Sequence, residues 1–356
     1  MISKRSARNG VRYDVRLRGP DGREYSRTFR TKREAETFEA TERAARSRGA
    51  WLDPRRAETT FGEVAIAWLE SNPGKRGGAW ARDESVIRLH LLPTLATRPI
   101  GSVTPADVQG LVNRWAAAGL APRTVRRQYG TLRSILNYAV SADYVSRTPC
   151  RSIKLPAVEP LARPVLTADG LAALADAHPT GYRPMVHLGA VLGLRWGEVA
   201  GLRVGRVDFL TRTLTVAEQR TRGRHGVMVD GPPKSAAGYR TLSVPAPLMD
   251  VLAGHLAARR LTGADGSAHV IATPAGEPLE DSTWRRRVWL PACREADLEG
   301  VGFHDLRRAN ATALVAEGVD LKTAQTRMGH SDVRLTLAIY AQATTEADRS
   351  GTCQGG

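Results

Sequence analysis

Near the start of the chain, apolar and charged residues alternate. Val11, Tyr13, Val15 and Leu17 are interleaved with Arg12, Asp14, Arg16 and Arg18. A period of two belongs to a half-exposed strand. Gly19-Pro20-Asp21-Gly22 makes a turn, and Tyr25, Arg27 and Phe29 alternate on a return strand. Thr31 followed by Glu34 has capping-box spacing, so a helix should follow. From Thr60 the period lengthens to that of a helix. Phe61, Val64, Ala65, Trp68 and Leu69 share one face behind a second capping pair, Thr60 and Glu63. Thr104-Pro105 opens another helix, with proline at the first helical position and Val108, Leu111, Val112 and Trp115 as its buried stripe. Pro122 opens a further one, with Val125, Leu132, Ile135, Leu136 and Ala139 facing inward.

Pro156, Pro160 and Pro164 then fall within nine residues, which predicts an extended linker. Beyond it, helices are expected at 167–177 and 181–193. Strand-like runs follow at 207–216 and 240–244, and more helices from about 246. There is no internal repeat and no low-complexity tract. The pattern is α+β and multidomain. It consists of a small N-terminal β-sheet plus helix (1–56), an all-α bundle (57–158) and a mixed, mainly-α domain with a small β-sheet (159–356).

Charge sharpens this picture. The chain has 356 residues and carries 52 Lys/Arg against 36 Asp/Glu, a net +16. That balance points to a polyanionic partner, and nucleic acid suits it better than a membrane, since no apolar run reaches a membrane span. Residues 1–56 alone hold 16 basic and 8 acidic residues, half of the net charge. A small sheet presenting Arg12, Arg16, Arg18 and Arg27 on its open face suits a major groove; the bland alternative is a solvated basic hairpin. Arg123, Arg126, Arg127 and Arg133 lie off the inner face of the helix after Pro122. They read equally as phosphate contacts and as a solvated face. Three scattered cysteines, Cys150, Cys293 and Cys353, offer neither metal-ligand spacing nor a disulfide framework. A reducing, cytoplasmic setting is expected. Only six of the 52 basic residues are lysine, so a lysine in a notable place carries more weight than an arginine.

The densest chemistry lies between His304 and Tyr340. His304-x-x-Arg307 is no rarer than composition allows, although its spacing puts both side chains on one helix face. Order and context add the information. Gly193-Leu194-Arg195-Trp196-Gly197-Glu198-Val199 resembles the first arginine box of the tyrosine recombinases, the phage integrase family. Pro233-Lys234-Ser235 with Arg240-Thr241-Leu242-Ser243-Val244-Pro245 resembles its lysine hairpin. His304-Asp305-Leu306-Arg307 resembles its second box. Met328-Gly329-His330-Ser331 and Ile339-Tyr340-Ala341 resemble its histidine and nucleophile boxes. The resemblance covers about 160–345, with the five boxes in family order. One departure is Arg308-Ala309, where the family often has His-Thr or His-Ser.

The resemblance implies a site-specific DNA recombinase that integrates a phage or mobile element through a 3′-phosphotyrosine and a Holliday junction. Its partners would be double-stranded attachment sites, three further protomers in a homotetrameric synapse, an accessory DNA-bending protein and an excisionase. Residues 1–56 would bind arm-type sites, 57–158 the core site, and 159–356 would do the chemistry. The residue types fit that reaction. Charge builds on the nonbridging oxygens of a pentavalent phosphorus, and planar bidentate cations such as Arg195 and Arg307 stabilise it best. Tyr340 is the expected nucleophile. His304 is its candidate base and His330 a phosphate hydrogen-bond donor. Lys234 is the proton donor to the leaving oxygen, since an ammonium can release a proton and a guanidinium effectively cannot. Glu198, one helical turn past Arg195, is either an orienting partner or a plain ion pair. No metal and no other cofactor is expected. Two rivals are a DNA-binding regulator that kept the fold and lost the activity, and a type IB topoisomerase.

Overall fold

The computed structural model describes residues 2–7, 10–19, 22, 24–47, 51–159 and 166–329. Two of the expected site residues, His330 and Tyr340, lie outside the described residues. The chain divides into two compact units, Met1–Glu159 and Pro160–Gly356.

In the first unit, β1 (Ile2–Ala7), β2 (Gly10–Arg18) and β3 (Glu24–Phe29) form an antiparallel sheet in that order. α1 (Lys32–Ser47) follows, and Thr31 and Glu34 make the predicted reciprocal cap. Val15, Leu17 and Ala35 are its small core, packed by Tyr13, Tyr25, Phe29 and Phe38. Arg12, Arg16 and Arg18 alternate with Val15 and Leu17 and so occupy the open face. Arg27 departs from the expectation. It pairs with Val15 across the sheet, and directly opposed residues point the same way. Its guanidinium lies 5.6 Å from the Phe29 ring centroid and 5.3 Å from that of Phe38, on the helix side.

Helices follow. α2 (Phe61–Glu70) has the predicted capping box, with Thr60 N–H donating to Glu63 at 2.9 Å and Glu63 N–H donating back to Thr60 at 3.3 Å. α3 (Gly77–Val86) runs through a π turn at Ile87–Leu91 into α4 (Leu92–Leu95). Pro93 explains the wide turn: its ring would clash with the carbonyl four residues back, and Leu92 N–H instead reaches five residues, to Ile87. α5 (Pro105–Ala117) and α6 (Pro122–Ser141) bury the stripes expected of them.

In the second unit, α7 (Ala168–Asp176), α8 (Arg183–Val191) and α9 (Trp196–Ala200) precede the strands. The run at 207–216 is not one strand. It folds into β4 (Val207–Asp208) and β5 (Thr213–Val216), a hairpin whose turn is held by Asp208 accepting from Leu210 and Thr211 N–H. Leu210, at its tip, is 96% exposed. β6 (Gln219–Arg222) and β7 (Met228–Gly231) form a second hairpin, and β8 (Arg240–Ser243) pairs with β5. α10 (Ala246–Ala258), α11 (Asp281–Trp284), α12 (Leu290–Glu295), α13 (Phe303–Ala316) and α14 (Leu321–Met328) complete the described elements. A second π turn, Arg285–Trp289, again precedes a proline, Pro291. The core includes Trp284, Trp289 and Phe303, whose rings lie 5.4–5.8 Å apart.

Candidate active site

The site is built on the start of α9, the middle of α13, the start of β8 and the end of α14. Arg195 caps α9: its backbone N–H donates to Glu198 Oε2 at 2.9 Å and its Nη1 donates to Oε1 at 2.7 Å. Glu198 is only 3% exposed. Its carboxylate also receives both prongs of Arg240, at 3.1 and 2.9 Å. Burial pushes this carboxyl up, but the hydrogen bonds and charge of Arg240, with the charge of Arg195, prevail and hold it at about 2. Glu198 is thus a buried ion-pair partner of both Arg195 and Arg240.

The end of α14 supplies the other half. The last carbonyls of a helix lack partners within it, and they form the negative end of its dipole. Three successive carbonyls here are taken by three arginines. Arg240 Nε donates to Arg327 O at 2.9 Å, Arg307 Nη2 donates to Met328 O, and Arg195 Nη2 donates to Gly329 O at 3.2 Å. Arg307 Nη1 also donates to Gly193 O, just before Arg195. Gly329 turns the chain at φ 61°, and a Cβ there would lie 2.8 Å from Ala237 O and 3.0 Å from Arg240 Nη1. Only glycine suits that left-handed, crowded position. The arginines thus fix the backbone over Arg327–Gly329.

Two guanidinium groups thus share one carboxylate directly, and the third, Arg307, donates to backbone carbonyls. Arg307 is 1% exposed. Burial, then the charge of Arg195 and more weakly that of Arg240, together pull its ordinarily very high pKa down to about 9, against the opposing pull of Glu198. A buried cation in that condition is short of an anion. The arrangement is suited to receive one, such as a phosphodiester oxygen.

His304 and Arg307 share α13; His304 is exposed, one turn from the buried Arg307. Lys234 is exposed in the segment that joins β7 to β8, whose far end is Arg240. Arg123, Arg126, Arg127 and Arg133 are exposed on α6, and Arg126 Nε donates to Pro156 O at 2.9 Å. Arg240 had no role in the reading of the sequence. The signal was there: Arg240, Leu242 and Val244 share one strand face, and a buried arginine in line with two core residues needs a carboxylate. Among the described residues, no three His, Cys, Asp or Glu come together as a metal site, and no helix is long and apolar enough to cross a membrane.

Comparison with known proteins gives the family and the fold. Residues 165–347 match the phage integrase family and residues 61–155 the phage integrase central domain. The chain is 29% identical to a putative prophage phiRv2 integrase of Mycobacterium tuberculosis, over 96% of this chain and 91% of that protein. A Tn1549 transposon integrase in complex with transposon right end DNA has a similar fold. The TM-score is 0.67 at 19% identity, covering 83% of this chain and 99% of that one. A lambda integrase tetramer bound to a Holliday junction gives a TM-score of 0.56 at 19% identity, covering 94% of both chains.

Proposed function

The chain belongs to the phage integrase family, the tyrosine-type site-specific recombinases, and from that premise we propose how its residues divide the reaction. The observation that carries the proposal is the arginine cluster with a single carboxylate, closed around the turn that leads into His330. Arg195 and Arg307 stabilise the charge on the nonbridging oxygens of the scissile phosphate. Glu198 and Arg240 hold those groups in register. Tyr340 attacks phosphorus, His304 serves as its base, His330 hydrogen-bonds the phosphate, and Lys234 protonates the 5′ oxygen as it leaves. The product is a 3′-phosphotyrosine, which a second strand reverses. Each bond is conserved, so strand exchange needs no nucleotide cofactor.

By analogy with the lambda integrase tetramer, four protomers would assemble on two double-stranded attachment sites and pass through a Holliday junction. Residues 1–56 would bind arm-type sites with Arg12, Arg16 and Arg18. Residues 57–158 would hold the core site, with Arg123, Arg126, Arg127 and Arg133 toward phosphates, and residues 159–356 would cut and rejoin. Arg27, stacked on aromatic rings, is better suited to bracing the sheet than to reading a groove. The reaction would run in the cytoplasm of a bacterial host, with a DNA-bending protein and an excisionase setting direction. The test is single-turnover cleavage of a nicked suicide duplex that carries the core sequence found at the junction of an integrated copy. A covalent protein–DNA adduct should form, and Tyr340→Phe should abolish it. An adduct that survives the substitution would refute the assignment.

A further inference from the structure

Outside the arginine cluster, a second set of charges gathers on the β6–β7 hairpin. Asp230, in β7, is its hub. Its Oδ1 accepts from Arg220 Nη1 at 3.0 Å, and its Oδ2 from Arg203 Nη2 at 2.5 Å and from His269 Nε2 at 3.1 Å. The network assigns the histidine tautomer: Nε2 donates to Asp230, and Nδ1 accepts from Arg203 Nη1 at 3.3 Å. Each partner is itself tied to a different segment. Arg203 donates to Ser267 O at 2.6 Å, Arg220 Nε to Leu279 O at 2.7 Å, and Arg259 to His269 O at 2.6 Å. One carboxylate therefore fastens the hairpin to three stretches of the catalytic unit.

Four residues after Asp230 comes Lys234, and the path between them is stiff. Pro232 and Pro233 have fixed φ. Pro232 O accepts from Gln219 Nε2 at 2.9 Å. Pro233 is buried against Gly238, where a Cβ would come within 2.5 Å of Pro233 Cβ. Beyond Lys234, Gly238 N–H donates to Ser235 O at 2.9 Å, and Arg240 then locks onto Glu198. An exposed lysine thus stands on a backbone pinned at both ends, by Asp230 on one side and by the Glu198–Arg240 pair on the other.

We propose that Asp230 is a positioning residue for the general acid, fixing through the Gly231-Pro232-Pro233 segment where Lys234 meets the leaving oxygen. The proposal rests on the reading of Lys234 as that acid. In the step concerned, Tyr340 Oη forms a bond to phosphorus as the P–O5′ bond breaks. The electron pair stays on O5′, which takes a proton from Lys234 Nζ and leaves the amine neutral. If the 5′ bridging atom is sulfur, it departs as a thiolate and needs no acid.

The test uses the full chain on paired suicide duplexes, one with a 5′ bridging oxygen and one with a 5′ bridging sulfur, under single turnover at saturating protein. Lys234→Ala should slow the oxygen substrate by about 10²- to 10⁴-fold and the sulfur substrate far less. Asp230→Asn should follow the same pattern more mildly, with a loss of about tenfold on oxygen and little on sulfur. Equal losses on both, or none on either, in Asp230→Asn would overturn the positioning role while leaving the acid reading intact. No sulfur rescue in Lys234→Ala would overturn the acid reading and the inference with it. If Asp230→Asn does not fold, Arg203→Lys, which loosens one of the three attachments, is read by the same oxygen-to-sulfur ratio.

Discussion

Replacing Glu198 by glutamine tests the electrostatic centre of the site. The substitution keeps the shape and removes the one negative charge that two arginines share directly. The carboxyl sits at about 2 against an ordinary 4.5. At about 1.4 kcal/mol per pKa unit, that difference contributes about 3 kcal/mol to folding at pH 7. Removing one member of a buried pair costs about 3–5 kcal/mol in other proteins, so the two routes agree. The sign follows from the depressed acid. Its contribution is complete above pH 4.5 and fades as pH falls toward 2. Denaturant unfolding of wild type and Glu198→Gln should therefore differ by about 3 kcal/mol at pH 7 and by roughly half of that at pH 3. The transition of the catalytic unit should be followed. A difference below about 1 kcal/mol at pH 7, or one that does not change with pH, would refute the claim that the charge of Glu198 organises the arginines.

Three further outcomes are expected. Gly329→Ala forces an L-residue into a left-handed turn against Ala237 O and Arg240, so it should cost about 1–3 kcal/mol and lower the cleavage rate more than DNA affinity, as unfolding and filter-binding measurements can show. Deleting residues 1–56 should spare core-site cleavage and abolish arm-site binding; lost core cleavage would contradict the division of labour. Arg16→Ala and Arg18→Ala should weaken arm-site binding and flatten its salt dependence by about one phosphate contact each, whereas Arg27→Ala should lower the melting temperature and leave the salt slope alone.

What the chain discloses about itself follows the range of the interactions concerned. Local rules carried well: the Thr60–Glu63 cap, the proline-started helices at Pro105 and Pro122, and their inward stripes all stand where the period puts them. β1 escaped because Ile2 is the only large apolar residue in ISKRSA, and an edge strand needs little else. The break in 207–216 escaped because Phe209 and Leu210 extend an apolar run across a turn that Asp208 imposes. Arg27 looked like its neighbours in β2, but its face is set by pairing with Val15, a register that no local period reveals. The site divides in the same way. Arg195 and Arg307, which the structure brings together, were legible as boxes, whereas the grip of three arginines on the carbonyls of 327–329 joins residues up to 134 positions apart.

The proposed mechanism requires that a tyrosine oxygen take the phosphate. The adduct from the nicked core duplex can be digested with protease and nuclease and the modified peptide sequenced by mass spectrometry. A nucleotide joined through its 3′ phosphate to Tyr340 is the predicted result. Attachment to any other residue, or through a 5′ phosphate, would contradict the mechanism.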